Sequence, residues 1–150
     1  MSKIIVLDST PLGLISNPRS SPKGDACNEW MREQLLGGTQ VAISEIADYE
    51  VRRELLRASR TRSVAKLDGL KQTLNYLPLT TPTMLKAAEF WARARQMGKP
   101  TASDHKLDAD MILSAQAALL TDAGHEVVVA TANVAHLSLF VTAAEWQDIQ

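Results

Sequence analysis

The chain has 150 residues, 45 % of them apolar and 22 % charged, and a net charge of −1. That length fits one domain spanning 1–150, and the composition excludes a disordered tail, a collagen-like chain and a disulfide scaffold. Near-neutral charge means that any site for a polyanion is a local patch.

The first predicted element is a buried strand, Ile4–Leu7, which ends at Asp8. Only four apolar residues precede that carboxylate, so the start does not read as a signal peptide. No apolar run approaches the roughly 18 residues of a membrane span, so no membrane partner is expected. Residues 16–25 are dense in turn formers and predict a loop. A helix follows from Ala26 to Leu36, stopped by Gly37-Gly38. Its Cys27 is the lone cysteine and has no intramolecular partner, as in a reducing, cytoplasmic setting. Gln40–Ile43 predicts a second strand, and Ser44 caps a helix running to Ser59. Residues 63–75 predict another helix, and Tyr76–Leu79 an extended piece. Thr80-Thr81-Pro82 opens a further helix whose Met84, Ala87, Ala88, Trp91 and Ala94 follow a 3.6-residue period. Gly98-Lys99-Pro100 ends it. Residues 109–120 predict a helix, Glu126–Ala130 a strand, Val134–Leu139 a helical turn, and 140–146 a last strand or helix.

Strands alternating with helices imply βαβ crossovers and a mostly parallel sheet covered on both faces. Such sheets bind ligands beyond the carboxyl ends of their strands. Three places follow a predicted strand directly: Asp8, Ser44 with its helix, and Thr131–His136.

Asp8 either faces this rim or caps a turn. On the helical wheel Glu50 falls between Ile46 and Ala47, at the border of the apolar face. An ionised carboxylate is costly there unless it is paired with Arg53 or Arg57 or bound to metal. Glu45 sits where the helix dipole favours negative charge, and Asp48 reads as exposed. Asp104, Asp108 and Asp110 crowd one stretch. Two helical residues at 108 and 110 would lie about 200° apart and could not share one ion. Asp104 or Asp108 is therefore placed in the cap region and Asp110 in the first turn. Thr131, Asn133 and His136 follow the last strand, where turn residues are also common. Scattered carboxylates without a Cys or His cluster point to a hard cation, Mg²⁺ or Mn²⁺, rather than zinc. Trp30, Trp91 and Trp146 serve the core or an interface. Arg52, Arg53, Arg57, Arg60, Arg62, Lys66 and Lys71 face two carboxylates, Glu54 and Asp68, giving this stretch +5. That charge suits a nucleic-acid backbone, a solvated face or an acidic partner.

Four motifs in order resemble a PIN domain, most closely its VapC-type toxin branch, over nearly the whole chain. They are the strand ending in Asp8, Ser44 with Glu50, Asp110-Met-Ile-Leu-Ser-Ala-Gln-Ala117, and Thr131-Ala-Asn133-Val-Ala-His136-Leu137. The last motif has Asn133 and His136 where many relatives have Asp. The resemblance implies an α/β fold, a three-layer α/β/α sandwich with a mostly parallel central sheet. It implies Mg²⁺- or Mn²⁺-dependent cleavage of RNA by a cytoplasmic toxin, an antitoxin protein as partner, and a homodimer. Asp8, Glu50 and Asp110 would then be the metal site, with Asn133 among the catalytic residues. Thr131, Ser44, Arg53 and Arg57 would meet the substrate. The alternative is a non-catalytic PIN-like module that binds RNA or a protein. No phosphate-binding Gly-rich loop is present, and position 10 is Thr, which disfavours a phosphotransferase of the haloacid-dehalogenase type.

Overall fold

The computed structural model describes residues 2–98 and 104–150. Five strands form one sheet: β1 (Lys3–Leu7), β2 (Gln40–Ser44), β3 (Asn75–Leu77), β4 (Glu126–Ala130) and β5 (Ala143–Ala144). Their order is β3-β2-β1-β4-β5, and every pairing is parallel. The helices are α1 (Ser9–Ser16), α2 (Pro22–Leu36), α3 (Glu45–Arg57), α4 (Thr61–Thr73), α5 (Thr81–Gln96), α6 (Asp104–Asp122) and α7 (Val134–Leu137). A 3₁₀ turn, Trp146–Asp148, ends the fold.

β1 is central, and its side chains alternate between two cores. Ile5 and Leu7 pack with Leu12, Trp30, Ile43 and Leu67 under α1 to α4. Ile4 and Val6 pack with Leu113, Ala117, Val129 and Leu137 under α6 and α7. The result is the expected three-layer α/β/α sandwich. A third cluster joins α5 to α6 through Ala87, Phe90, Leu107 and Met111, and Phe90 stacks on Phe140 at 4.5 Å between ring centroids. Trp30 and Trp146 belong to the first core, with ring centroids 5.9 Å apart, whereas Trp91 is partly exposed.

Several expectations need correction. The loop predicted over 16–25 is confined to 17–21, between two helices. α1 occupies 9–16, and α2 starts at Pro22, where Ser21 Oγ accepts the Gly24 N–H. Ser followed by Pro is a helix-start signal as well as a turn signal. α1 is short and lacks apolar periodicity. Its Pro11 is tolerated because the first-turn N–H groups have no intrahelical acceptor. α6 begins by Asp104 rather than at 109, so neither Asp108 nor Asp110 is in a cap region or first turn. The predicted end at Gly98-Lys99-Pro100 lies partly outside the described residues, as does the side chain of Asp104. The buried face of α5 runs through Thr83, Ala87, Phe90 and Ala94, while Met84 and Trp91 are largely outside it. Asp48 is buried rather than exposed. It accepts from Arg52 at 2.9 Å and from the Tyr76 hydroxyl at 3.0 Å. Gly38, with φ +91°, turns the chain from α2 into β2 as the Gly pair predicts.

Leu67 is the fully buried anchor of α4. Leu67→Ala is expected to cost about 2–5 kcal/mol in urea unfolding, and a loss under about 0.5 kcal/mol would contradict this packing.

Candidate metal centre

The sheet register sets the centre. Leu7 pairs with both Ile43 and Ala130, so Asp8, Ser44 and Thr131 leave the sheet at one level. Asp8 N–H donates to Ala130 O at 3.0 Å, which continues the ladder one step into the rim. Asp8 is 4 % exposed, and both its oxygens are held. Oδ1 accepts the Ser9 N–H at 2.6 Å at the start of α1. Oδ2 accepts the Thr131 hydroxyl at 2.7 Å. Thr131 Oγ1 in turn accepts the Asn133 N–H at 2.9 Å, while the Thr131 N–H donates to Ala144 O at 3.0 Å. Asp8 therefore both caps a helix and faces the rim; the two readings of the sequence are compatible.

Asp110 comes from the second turn of α6 and is 1 % exposed. Its Oδ1 lies 3.6 Å from Lys106 Nζ, and its Oδ2 lies 3.4 Å from His136 Nδ1. Oδ2 has no hydrogen-bond partner, and neither has the buried Ser114 hydroxyl one turn further on. Burial pushes the Asp110 carboxyl above its ordinary range, and the Asp8 charge adds to the rise, against Lys106 and His136. Asp108 is exposed and lies on the other side of α6, with Met84, Trp91 and Ile112. It does not join the centre, in accord with the 200° separation.

Glu50 projects from α3 and is half-buried. Its carboxyl is also raised, first by burial and then by the charges of Asp8 and Asp110, while Lys106 and Arg53 oppose the rise. Asp8, Glu50 and Asp110 thus share one electrostatic environment. Arg57 pairs with Glu54 at 2.9 Å and not with Glu50. Arg53 is exposed, stacks over Tyr49 at 5.0 Å, and reaches the centre through its charge.

Ser44 does not line the rim. It is fully buried, makes no side-chain cap, and donates its hydroxyl to Gln116 Oε1. Gln116 Nε2 then donates to Leu77 O at 2.8 Å, tying α6 to the end of β3. Sequence reasoning missed Gln116 and Lys106. A buried Gln on the face of α6 below Asp110, and a Lys four residues before that carboxylate, are the signals that point to them. The basic stretch is partly neutralised. Arg52 pairs with Asp48 and Asp68, Lys71 lies 4.0 Å from Asp48, and Lys66 donates to Asn17 O. Arg60 and Arg62 remain exposed.

Among the described residues, no three His, Cys, Asp or Glu side chains come together closely enough to hold a metal ion between them. A Mg²⁺-type ion needs only one or two carboxylates and keeps its waters. The donor set suits that case, because a buried carboxylate oxygen without a partner adjoins two other acids.

No protein-family model matches the chain, and no curated protein matches it in sequence. Solved structures do match its fold. VapBC2 from Rickettsia felis, bound to a DNA fragment from their promoter, gives a TM-score of 0.73 at 16 % identity over 95 % of this chain and 98 % of that one. DNA-bound VapBC from Salmonella typhimurium gives 0.70 at 19 % identity over 97 % and 99 %. FitAcB from Neisseria gonorrhoeae gives 0.69 at 19 % identity over 97 % and 99 %. The fold is that of an α/β/α sandwich with acids at its strand ends. More narrowly, it is a VapC-like PIN-domain fold.

The raised Asp110 carboxyl has a stability consequence. A folded-state pKa above the unfolded value means the native state binds more protons, so the group's contribution falls as pH rises from its unfolded pKa through the raised one. At pH 7 without metal, Asp110→Asn is expected to raise Tm by about 2–4 °C, the shift that about 1 kcal/mol gives in a domain of this size. A calorimetric scan showing a lower Tm would contradict the assignment.

Proposed function

We propose that the protein is a divalent-metal-dependent endoribonuclease, the toxin of a toxin–antitoxin pair, with RNA as substrate and an antitoxin protein as partner. The observation that carries the reading is the unpartnered, buried Asp110 Oδ2 beside Asp8 and Glu50 at the carboxyl ends of a parallel sheet. The VapC-like fold supports it, since those solved structures pair this fold with a second protein by name.

Asp8 and Asp110 would hold Mg²⁺ or Mn²⁺. Bound there, the ion supplies an activated water and neutralises charge on the scissile phosphate. Asp8 is pre-oriented for this by the Ser9 N–H and the Thr131 hydroxyl, so little order is lost on binding. Glu50, half-buried with a raised pKa, is suited to take a proton from the attacking water at its carboxylate and return it to the leaving oxygen. Asn133 precedes α7 and its backbone N–H donates to Thr131; its uncharged amide would add no repulsion against a phosphate. Arg53, stacked over Tyr49, would offer a cation to the substrate backbone beside Glu50. Arg57 pairs with Glu54 at the surface, and Ser44 donates its hydroxyl to Gln116 in the interior. The homodimer implied by the resemblance has an apolar surface to use, the exposed Met84, Leu85 and Trp91 of α5.

The test is incubation with a pool of structured RNAs, with Mn²⁺, Mg²⁺ or EDTA. Discrete cuts are expected with metal, abolished by EDTA. Asp8→Asn and Asp110→Asn should each reduce them by more than about a hundredfold, the upper range for losing even an outer-shell partner of a metal. Cleavage that persists in EDTA contradicts the reading. RNA bound equally with and without Mg²⁺ and never cut favours the non-catalytic module.

A further inference from the structure

One contact in the centre is not accounted for by the acids. His136 Nδ1 and Asp110 Oδ2 are both buried, neither has a hydrogen-bond partner, and they lie 3.4 Å apart. A protonated imidazole donating to a carboxylate closes to about 2.7–2.9 Å with good alignment. This pair has not done so. Two donor atoms each about 2.1 Å from one ion, at 90–110° to one another, are separated by about 3.0–3.4 Å. The spacing matches two ligands of one ion and is long for a donor and its acceptor.

The surroundings favour the same arrangement. Lys106 sits at Oδ1 of Asp110, so Oδ2 is the oxygen turned toward His136. α7 is short, but Leu137 buries fully in the core beside β4, and the His136 and Leu137 N–H groups both donate to Asn133 O. The imidazole is therefore carried on a fixed turn, and that turn is joined to Asp8 through Asn133 and Thr131.

We propose that His136 binds the divalent cation directly through Nδ1, beside Asp110 Oδ2, and so shifts the centre's preference from Mg²⁺ toward transition metals. The proposal rests on the metal-site reading above. Its chemical ground is that imidazole suits borderline transition metals, whereas Mg²⁺ prefers oxygen. The neutral nitrogen also limits the negative charge of the site, taking the place of another carboxylate beside two that already repel.

The test uses the full chain with ¹⁵N-labelled histidine and Mn²⁺ as the probe, read by pulsed electron paramagnetic resonance. The expected result is a histidine-nitrogen coupling on the bound Mn²⁺ that is lost in His136→Asn; the sequence holds three histidines, so the variant makes the assignment. Calorimetric titrations should show Ni²⁺ affinity falling about tenfold or more in His136→Asn, with Mg²⁺ affinity changing less than about threefold. If the variant folds poorly, His105→Asn and His125→Asn variants that keep the coupling make the same assignment. Bound Mn²⁺ that is lost in Asp110→Asn but shows no nitrogen coupling overturns the role of His136 and leaves the acidic centre standing. Wild-type protein that binds no Mn²⁺ overturns both.

Discussion

The arrangement on which the site depends is the gathering of buried Asp8 and Asp110 with half-buried Glu50 at the end of the sheet. Burial disfavours the charged forms of Glu50 and Asp110, and the charge of Asp8 adds to the cost of ionising both. Lys106, Arg53 and His136 offset part of that cost, yet Glu50 and Asp110 remain raised. A structural role does not explain such a cluster, because apolar residues would fill the space more cheaply. The proposed cation would turn that mutual repulsion into shared attraction.

The fold creates that gathering by register. β1 is the middle strand, and its last residue pairs with β2 on one side and β4 on the other. Three chain segments therefore turn off the sheet together. The α1 start fixes Asp8 from one side, Thr131 fixes it from the other, and α6 brings Asp110 across the opposite face. Gln116 ties α6 to β3 and Ser44, which holds that helix in place. Polar residues buried below the rim thus hold α6 against the sheet.

Much of this was legible in the sequence. Strand ends carry their own signal, because a β-rich apolar run followed by Asp8 or Thr131 marks the rim, whereas Ser44 is buried below it. Glu50 was legible through its place at the border of an apolar helix face. What stayed hidden depends on tertiary contact. Ser44 and Asp48 have the same side chains whether buried or exposed, and only the packing of Gln116 and Tyr76 decides. α1 was hidden because its stability comes from the Asp8 cap and the core beneath Leu12 and Ile15 rather than from periodicity. The start of α6 was misplaced because acids near a helix start suit a cap as well as a first turn.

The most direct test of the central claim is the melting temperature of the wild-type chain against Mn²⁺ concentration, at pH 7 and again near pH 4. If the acids are completed by a cation, Tm at pH 7 rises steadily with Mn²⁺, by about 5–10 °C at a hundredfold excess over Kd. The rise disappears near pH 4, where protons occupy the raised carboxyls. A Tm indifferent to Mn²⁺ at pH 7 would contradict the account.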